Sequence, residues 1–354
     1  MTDWLNHLNP TTQLALFAAV KAVAAFAVMM TMVAYIVLVE RRVCAFMQDR
    51  IGPNRTGPFG LLQPAADGIK AFFKEEMTPA HVRKLYYVIA PAICLMPAIL
   101  NLAVIPFGSS IKGEPMVLAN LNVGILYTFG IVSLGVYGIV LAGYASNSKF
   151  PFLGGIRSSA QMISYEIAMG MSVIPIFMLV GDLNLSSVIT YQAGTQLGFL
   201  PNWLVFKQPL AFVIFLVAAF AETNRAPFDL PEAEQELAGG YNIEYSSIKF
   251  ALFFMAEYAN MILVSAMMVT LFFGGWTLPW FGLDQTATTL LGGVAHIGIF
   301  LAKVFAFLLM FIWVRWMVPR FRYDQLMDLG WRRFIPLALA NIVVTAVWLW
   351  WTTK

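Results

Sequence analysis

Eight apolar stretches run through the sequence, each close to the ~20 residues an α-helix needs to cross a bilayer. They lie at Leu14–Val39, Leu85–Phe107, Val123–Ala145, Ala160–Val180, Trp203–Ala221, Ile248–Phe273, His296–Val318 and Phe334–Trp351. No other feature limits the fold as strongly. In hydrocarbon every backbone N–H and C=O must be satisfied within the protein, so runs of this length are expected as helices. The fold class that follows is all-α: a polytopic integral membrane protein, one membrane domain over residues 1–354, with about eight transmembrane helices. The fifth run is the weakest, because Lys207, Gln208 and Pro209 sit inside its start. Only 12% of the residues are charged, about half of what a soluble domain carries. No basic segment or small-residue cleavage site marks the first run for removal, so it is expected to stay as a span. No internal repeat is visible, which argues against the inverted-repeat transporters.

Lysine and arginine set the orientation. With Arg315 counted as a flank, the odd-numbered loops hold 16 of the 22 Lys and Arg residues, and the even loops and the ends hold only Lys112, Lys207 and Lys354. The odd loops are therefore expected on the cytoplasmic (or matrix) side, with both termini opposite.

One inner loop breaks this pattern. Ala221–Glu244 carries Glu222, Asp229, Glu232, Glu234, Glu236 and Glu244 against a single Arg225, about a third of the 19 acidic residues. Like charges repel, and burial disfavours the ionised form, so this many carboxylates beside a membrane suggest a specific use. The first loop has a different character. Ile51–Pro58 is broken by Gly52, Pro53, Asn54, Gly57 and Pro58 and should turn. From Phe59 onward Leu62, Ala65, Ala66, Ile69, Phe72 and Phe73 fall at helical spacing, with Gln63, Asp67, Lys70 and Lys74 on the other face. This predicts a short amphipathic helix in the membrane interface. Its apolar face would guard the entrance for a lipid-soluble substrate, and Arg42, Arg50 and Arg55 would dock a partner protein or a polar head group.

Within the spans, Glu257 lies deep in Phe254–Asn260 and Glu166 follows Tyr165. Ionisable groups at such depth are costly and commonly line water or proton paths. With Glu40, Asp67, Glu222, Asp229, Glu232, Glu234, Glu236 and Glu244 they suggest a carboxylate trail from the inner face into the bilayer. Cys44 and Cys94 are fifty residues apart, and His7, His81 and His296 are scattered. This predicts neither a disulfide framework nor a metal site. No nucleophile–base pair or phosphate-cradling glycine loop appears.

Two segments, ERRVCAFMQDRIGPNRTGPFGLLQPAADGIK (Glu40–Lys70) and AETNRAPFDLPEAEQELAGGYNIEYSSIKFALFFMAEYANM (Ala221–Met261), resemble the signature regions of one family. This is the quinone-site membrane subunit of respiratory complex I, the H component of bacterial NADH-quinone oxidoreductase. The resemblance implies that inner loops 40–84 and 222–247 form the quinone tunnel and coupling region. It assigns Glu40, Arg41, Arg50, Asp67, Phe228 and Asp229 to the quinone tunnel. It assigns Glu166, Glu222, Glu232, Glu234, Glu236, Glu244 and Glu257 to a proton path, and Arg42, Arg55 and Arg225 to partner docking. It further implies a chain that catalyses nothing alone and binds no cofactor or metal. Quinone would be the substrate, with FMN and iron–sulfur clusters in partner subunits. The partners implied are the peripheral quinone-module subunits, the neighbouring small membrane-arm subunits and lipid, with no nucleic acid. The expected location is a bacterial inner membrane with periplasmic termini. The alternatives are a homologous membrane component of a hydrogenase or formate-oxidising complex, and a stand-alone ion transporter.

Overall fold

A computed structural model describes residues 10–111, 114–196, 200–231, 238–287 and 289–352. Seven described helices are long and apolar enough to cross a membrane. They are α1 (Pro10–Met47), α3 (Lys84–Asn101), α4 (Gly124–Ala145), α5 (Lys149–Val180), α9 (Ser247–Phe272), α10 (Leu290–Met317) and α11 (Tyr323–Thr352). The last carries a π-helical turn at Leu329–Phe334. Between them lie α2 (Gln63–Phe73), α6 (Leu185–Tyr191), α7 (Leu204–Lys207) and α8 (Pro209–Glu222). Two-stranded hairpins pair Ser110–Ile111 with Glu114–Pro115, and Thr195–Gln196 with Leu200–Pro201. The chain is thus an all-helical, multi-pass membrane protein.

The expected fifth span is split. Gln208 leaves helical geometry (φ −133°, ψ 59°), and Pro209 opens α8, which has only 14 residues. Proline at the first helical position loses nothing, because its missing N–H has no partner there anyway. Two other boundaries move outward. The helix of the first span runs on through Glu40-Arg41-Arg42 to Met47, so these residues are helical and not in a loop. The helix of the fourth starts at Lys149, so most of the expected loop Ser146–Ser159 is helix too.

Small residues allow the closest helix crossings. At Gly138 of α4 an added Cβ would stand 2.8 Å from the backbone N of Cys94 and 3.1 Å from the carbonyl of Ala90, both in α3. At Gly143 it would stand 2.6 Å from the carbonyl of Pro151 at the start of α5. The main core gathers residues of α1, α5, α8, α9 and α10 around α9, the most buried span, and a smaller cluster joins α3 and α4 to Tyr241 and Tyr245.

The amphipathic segment of the first loop becomes a turn at Pro58–Gly60, where Phe59 has φ 52°, followed by α2. None of α2 is buried in this chain, and Ile69, Phe72 and Phe73 are exposed. Its far end is tied to α9: the Ser247 hydroxyl is 2.9 Å from the carbonyl of Ala71 and 2.8 Å from that of Lys74. Lys249 pairs with Glu76.

Candidate functional site

The ends of α1, α8, α9 and α10 that bear the Arg-rich loops form the basic end of the bundle. Here α8 stops at Glu222 and the chain turns through Thr223–Pro231. Gln161 of α5 clamps this turn: its amide donates to the carbonyls of Ala221 (2.8 Å) and Phe228 (2.9 Å). Asn224, at φ 51°, donates to Ser158 (3.3 Å). So held, the turn directs Arg225 inward.

Arg225 then joins three helices. Its Nη1 donates to Glu40 of α1 (3.3 Å), and its Nε lies 2.7 Å from a carboxylate oxygen of Glu257 in α9. Its guanidinium sits over the Tyr258 ring, 4.2 Å from the centroid, a favourable cation–π placement. Tyr258 donates its hydroxyl to Glu40 (2.6 Å), and Arg315 of α10 pairs with the same carboxylate. Two carboxylates thus face two guanidiniums, with Glu40 and Arg225 buried. Burial alone would lower the pKa of Arg225, but Glu257, Tyr258 and Glu40 outweigh it and hold the guanidinium charged. Its Nη2 is buried and meets no acceptor among the described residues.

Beside this cluster is a small cavity of about 30 Å³, lined by the polar Glu222, Thr223, Asn224, Glu257 and Asn260 and by apolar side chains such as Ile139, Met162 and Phe253. That is room for one water. Glu222 is buried, and neither of its carboxylate oxygens has a hydrogen-bond partner among the described residues. Glu166 lies near enough for its charge to act on Glu222, and it accepts from Ser133. The deep carboxylates Glu257, Glu222 and Glu166 therefore follow one another from the cluster into the bundle.

Asp229 pairs with Arg320 at 2.9 Å. Burial raises its pKa, and Arg320, Arg225 and Arg315 only partly offset the rise. Phe228 stacks on Phe321 with centroids 5.2 Å apart and lies against Tyr165. On the outer face of α1, Arg41 holds Asp67 of α2 at 2.7 Å, and Gln63 donates to Asp67 at 2.9 Å. Arg50 is exposed and donates to Gln48 (2.7 Å), Arg55 is exposed, and Arg42 is half-buried.

The expected residues therefore divide. Glu40, Glu257 and Arg225 meet, Glu222 and Glu166 lie alongside, and Asp229 and Phe228 stand in the same turn. Arg225, expected at a docking surface, instead has its charge spent inside the chain. Glu244 is elsewhere, 3.8 Å from His81 and against the Tyr87–Tyr245 stack, with its backbone carbonyl accepting from Tyr87. Glu232, Glu234 and Glu236 lie outside the described residues. Sequence reasoning misses Arg315, which reads only as a loop flank, and Tyr258, whose one signal is its place beside Glu257. Gln161 reads as no more than a polar residue ahead of Glu166. Among the described residues no three His, Cys, Asp or Glu side chains converge on a metal position.

Fold and site together define a polytopic helical membrane subunit with a buried ionic cluster leading to a row of intramembrane carboxylates. A family model described as NADH dehydrogenase matches residues 20–346. The first H subunit of the NADH-quinone oxidoreductase of Cytophaga hutchinsonii is 49% identical over 329 residues, 91% of this chain and 93% of the relative. The H subunit of the Flavobacterium psychrophilum enzyme is 48% identical over 336 residues, 93% of this chain and 96% of the relative. The first H subunit of the Geobacter sulfurreducens enzyme is 48% identical over 342 residues, 92% of this chain and 93% of the relative. The chain belongs to the H-subunit family of NADH-quinone oxidoreductase, and is a membrane component of that translocase complex.

Proposed function

We propose that the basic end of this chain walls a quinone tunnel and starts the carboxylate relay that couples quinone reduction to proton translocation. The observation that carries this reading is the sharing of Arg225 between Glu40 and Glu257, beside a water-sized cavity that also touches Glu222. Glu40 belongs to the helix whose Arg41 holds Asp67 on α2, so the cluster is mechanically joined to the amphipathic helix at the tunnel mouth. The exposed apolar face of α2 suits entry of a greasy substrate from the interface.

Quinone reduction consumes two electrons and two protons. The electrons come from iron–sulfur clusters and FMN in peripheral partner subunits, the two protons that join the quinone head come mostly from groups on a partner subunit, and this chain supplies electrostatics. A negative charge developing in the tunnel attracts the Arg225 guanidinium, whose Nη2 meets no acceptor among the described residues. Glu257 is then left uncompensated, and a proton drawn through the cavity water neutralises it. Glu222 and Glu166 pass the next protons inward, and Glu232, Glu234, Glu236 and Glu244 feed the path. Arg42, Arg50 and Arg55 face the peripheral subunits. The membrane is a bacterial inner membrane, with the basic end cytoplasmic and both termini periplasmic.

The test is Glu222→Gln in the whole complex. The amide keeps the shape but carries no proton to pass on. Electron flow from NADH to a soluble artificial acceptor is expected unchanged, while proton pumping linked to quinone falls severalfold. Wild-type pumping in the assembled variant would remove Glu222 from the relay.

A further inference from the structure

Asn260 stands on the wall of the small cavity beside Arg225. That wall is one face of α9: Phe253, Ala256, Glu257 and Asn260 occupy positions i, i+3, i+4 and i+7. Asn260 is therefore one turn deeper in the bundle than Glu257. An amide in the middle of a membrane span is costly unless it finds a hydrogen-bond partner. Yet the Asn260 side chain forms no hydrogen bond with any described residue.

Other polar groups around the cavity are already engaged. The Thr223 hydroxyl donates to the carbonyl of Ala219 (3.0 Å). Asn224 accepts from Gln161 (3.3 Å) and donates to Ser158 (3.3 Å). Arg225 takes up one oxygen of Glu257 (2.7 Å). Left open are the other oxygen of Glu257, both oxygens of Glu222, which are buried without a partner among the described residues, and the Asn260 amide. An ionised carboxylate only accepts hydrogen bonds, whereas an amide also donates. Of these open groups Asn260 alone is a donor. A buried water commonly makes about three hydrogen bonds. Here its two hydrogens match the two carboxylates, and the Asn260 N–H matches its oxygen.

We infer that Asn260 is a positioning residue: its amide holds the oxygen of a buried water whose hydrogens point at Glu257 and Glu222. This role rests on the relay reading of the two carboxylates and joins them. Once Glu257 carries a proton, it gives that proton to the water oxygen, and the water gives one of its own to Glu222. Glu257 ends ionised, Glu222 ends protonated and the water is restored. Asn260 loses and gains nothing; it keeps the water from turning its hydrogens away from the carboxylates.

The experiment takes the whole complex in membrane vesicles and records infrared difference spectra on reduction by NADH, in ordinary and in heavy-oxygen water. The wild type should show an O–H stretch of a buried water, recognised by its oxygen-isotope shift, and Glu222→Gln should move it. Asn260→Leu keeps the volume and removes the donor. It should erase that band and slow proton pumping about fivefold, the worth of one neutral hydrogen bond. The proposal is overturned if no isotope-sensitive band responds to Glu222→Gln, or if either the band or the wild-type pumping rate survives Asn260→Leu in the assembled complex. Slower pumping with the band unmoved would mark Asn260 as a packing residue only. Pumping lost in Glu222→Gln but kept in Asn260→Leu removes this role alone, whereas wild-type pumping in Glu222→Gln removes the relay and the role with it. Should Asn260→Leu fail to assemble, Asn260→Ala, which overfills nothing, is scored by the same band and the same rate.

Discussion

Removing Arg225 isolates the electrostatics at the centre of the site. Arg225→Met keeps an unbranched chain of similar reach but deletes the ion pairs to Glu257 (2.7 Å) and Glu40 (3.3 Å) and the cation over Tyr258. Breaking a buried pair by removing one partner costs ~3–5 kcal/mol, because a charge is left uncompensated. Glu40 retains Arg315 and Tyr258, so the loss falls mainly on Glu257, and the lower figure of ~3 kcal/mol applies. Glu257→Gln in the same chain removes that stranded charge and should return about 2 kcal/mol. The assay is a double-mutant cycle on the thermal stability of the purified complex, read beside quinone reduction. Arg225→Met alone should melt markedly earlier, Glu257→Gln alone slightly earlier, and the double variant should recover most of the loss. If the two effects simply add, Arg225 and Glu257 are not energetically coupled and the proposed switch has no basis.

Asp229 gives a pH signature. Its folded pKa is raised above 3.8 by burial, so its contribution to stability is full below that value and is lost as pH rises through the folded value. Asp229→Asn should flatten this decline in melting temperature as pH rises above 3.8, and Arg320→Met, which withdraws a lowering charge, should shift it to higher pH. Lys303 donates to the carbonyls of Phe273, Gly275 and Thr277 at 2.8, 2.9 and 2.7 Å. Lys303→Met strips three buried acceptors and should cost ~3 kcal/mol or more in thermal unfolding. Gly138→Val forces α4 off the Cys94 backbone of α3 and should lower the yield of assembled complex, by at least the ~1–3 kcal/mol of an overpacked core. Normal assembly on native gels would contradict that crossing.

The spans were legible because bilayer thickness and backbone hydrogen bonding leave the sequence few options. Their ends were not. Hydropathy marks where a chain leaves hydrocarbon, whereas a helix ends where its backbone is capped. Glu40, Arg41 and Arg42 are good helix formers, so they end the apolar run without ending α1. Gln208 and Pro209 marked the fifth run as the weakest, but the run was still expected as one span, because hydropathy alone does not show where proline breaks the helix. In the site, the concentration of carboxylates and the depth of Glu257 were visible, but the pairing was not. Glu40 and Arg225 are 185 residues apart and Glu40 and Arg315 are 275 apart, and periodicity reports which face a residue occupies without naming its neighbour. Arg225 reads as a surface cation for the same reason: one arginine among acids gives no sign of which way its turn will point.

Fixation of α9 at both ends limits how such a site can work. At the basic end Glu257 and Tyr258 belong to the ionic cluster. At the other end the Gln192 amide donates to the carbonyls of Thr270 (3.0 Å) and Leu271 (3.3 Å), while its oxygen accepts from the backbone of Leu204 (3.1 Å) and Gly274 (3.0 Å). Just beyond, Lys303 donates to the carbonyls of Phe273, Gly275 and Thr277. These contacts satisfy groups that a helix end otherwise leaves without partners. With 72% of its most apolar stretch buried, against 17–44% for the other spans, α9 would have to break this cap and a packed core together in order to slide. The turn 223–231 has no regular helix to hold it and is fixed by side-chain contacts: the Gln161 clamp, the Asn224 contact, the Asp229–Arg320 pair, the Phe228–Phe321 stack, the ion pairs of Arg225 and a backbone hydrogen bond from Phe321 to Pro227 (3.1 Å). Charge moving through this site should therefore displace the turn and the Arg225 side chain against a stationary α9. Cross-linking α9 to α10 near their capped ends should leave pumping intact, whereas tethering the turn to α5 beside Gln161 should stop it.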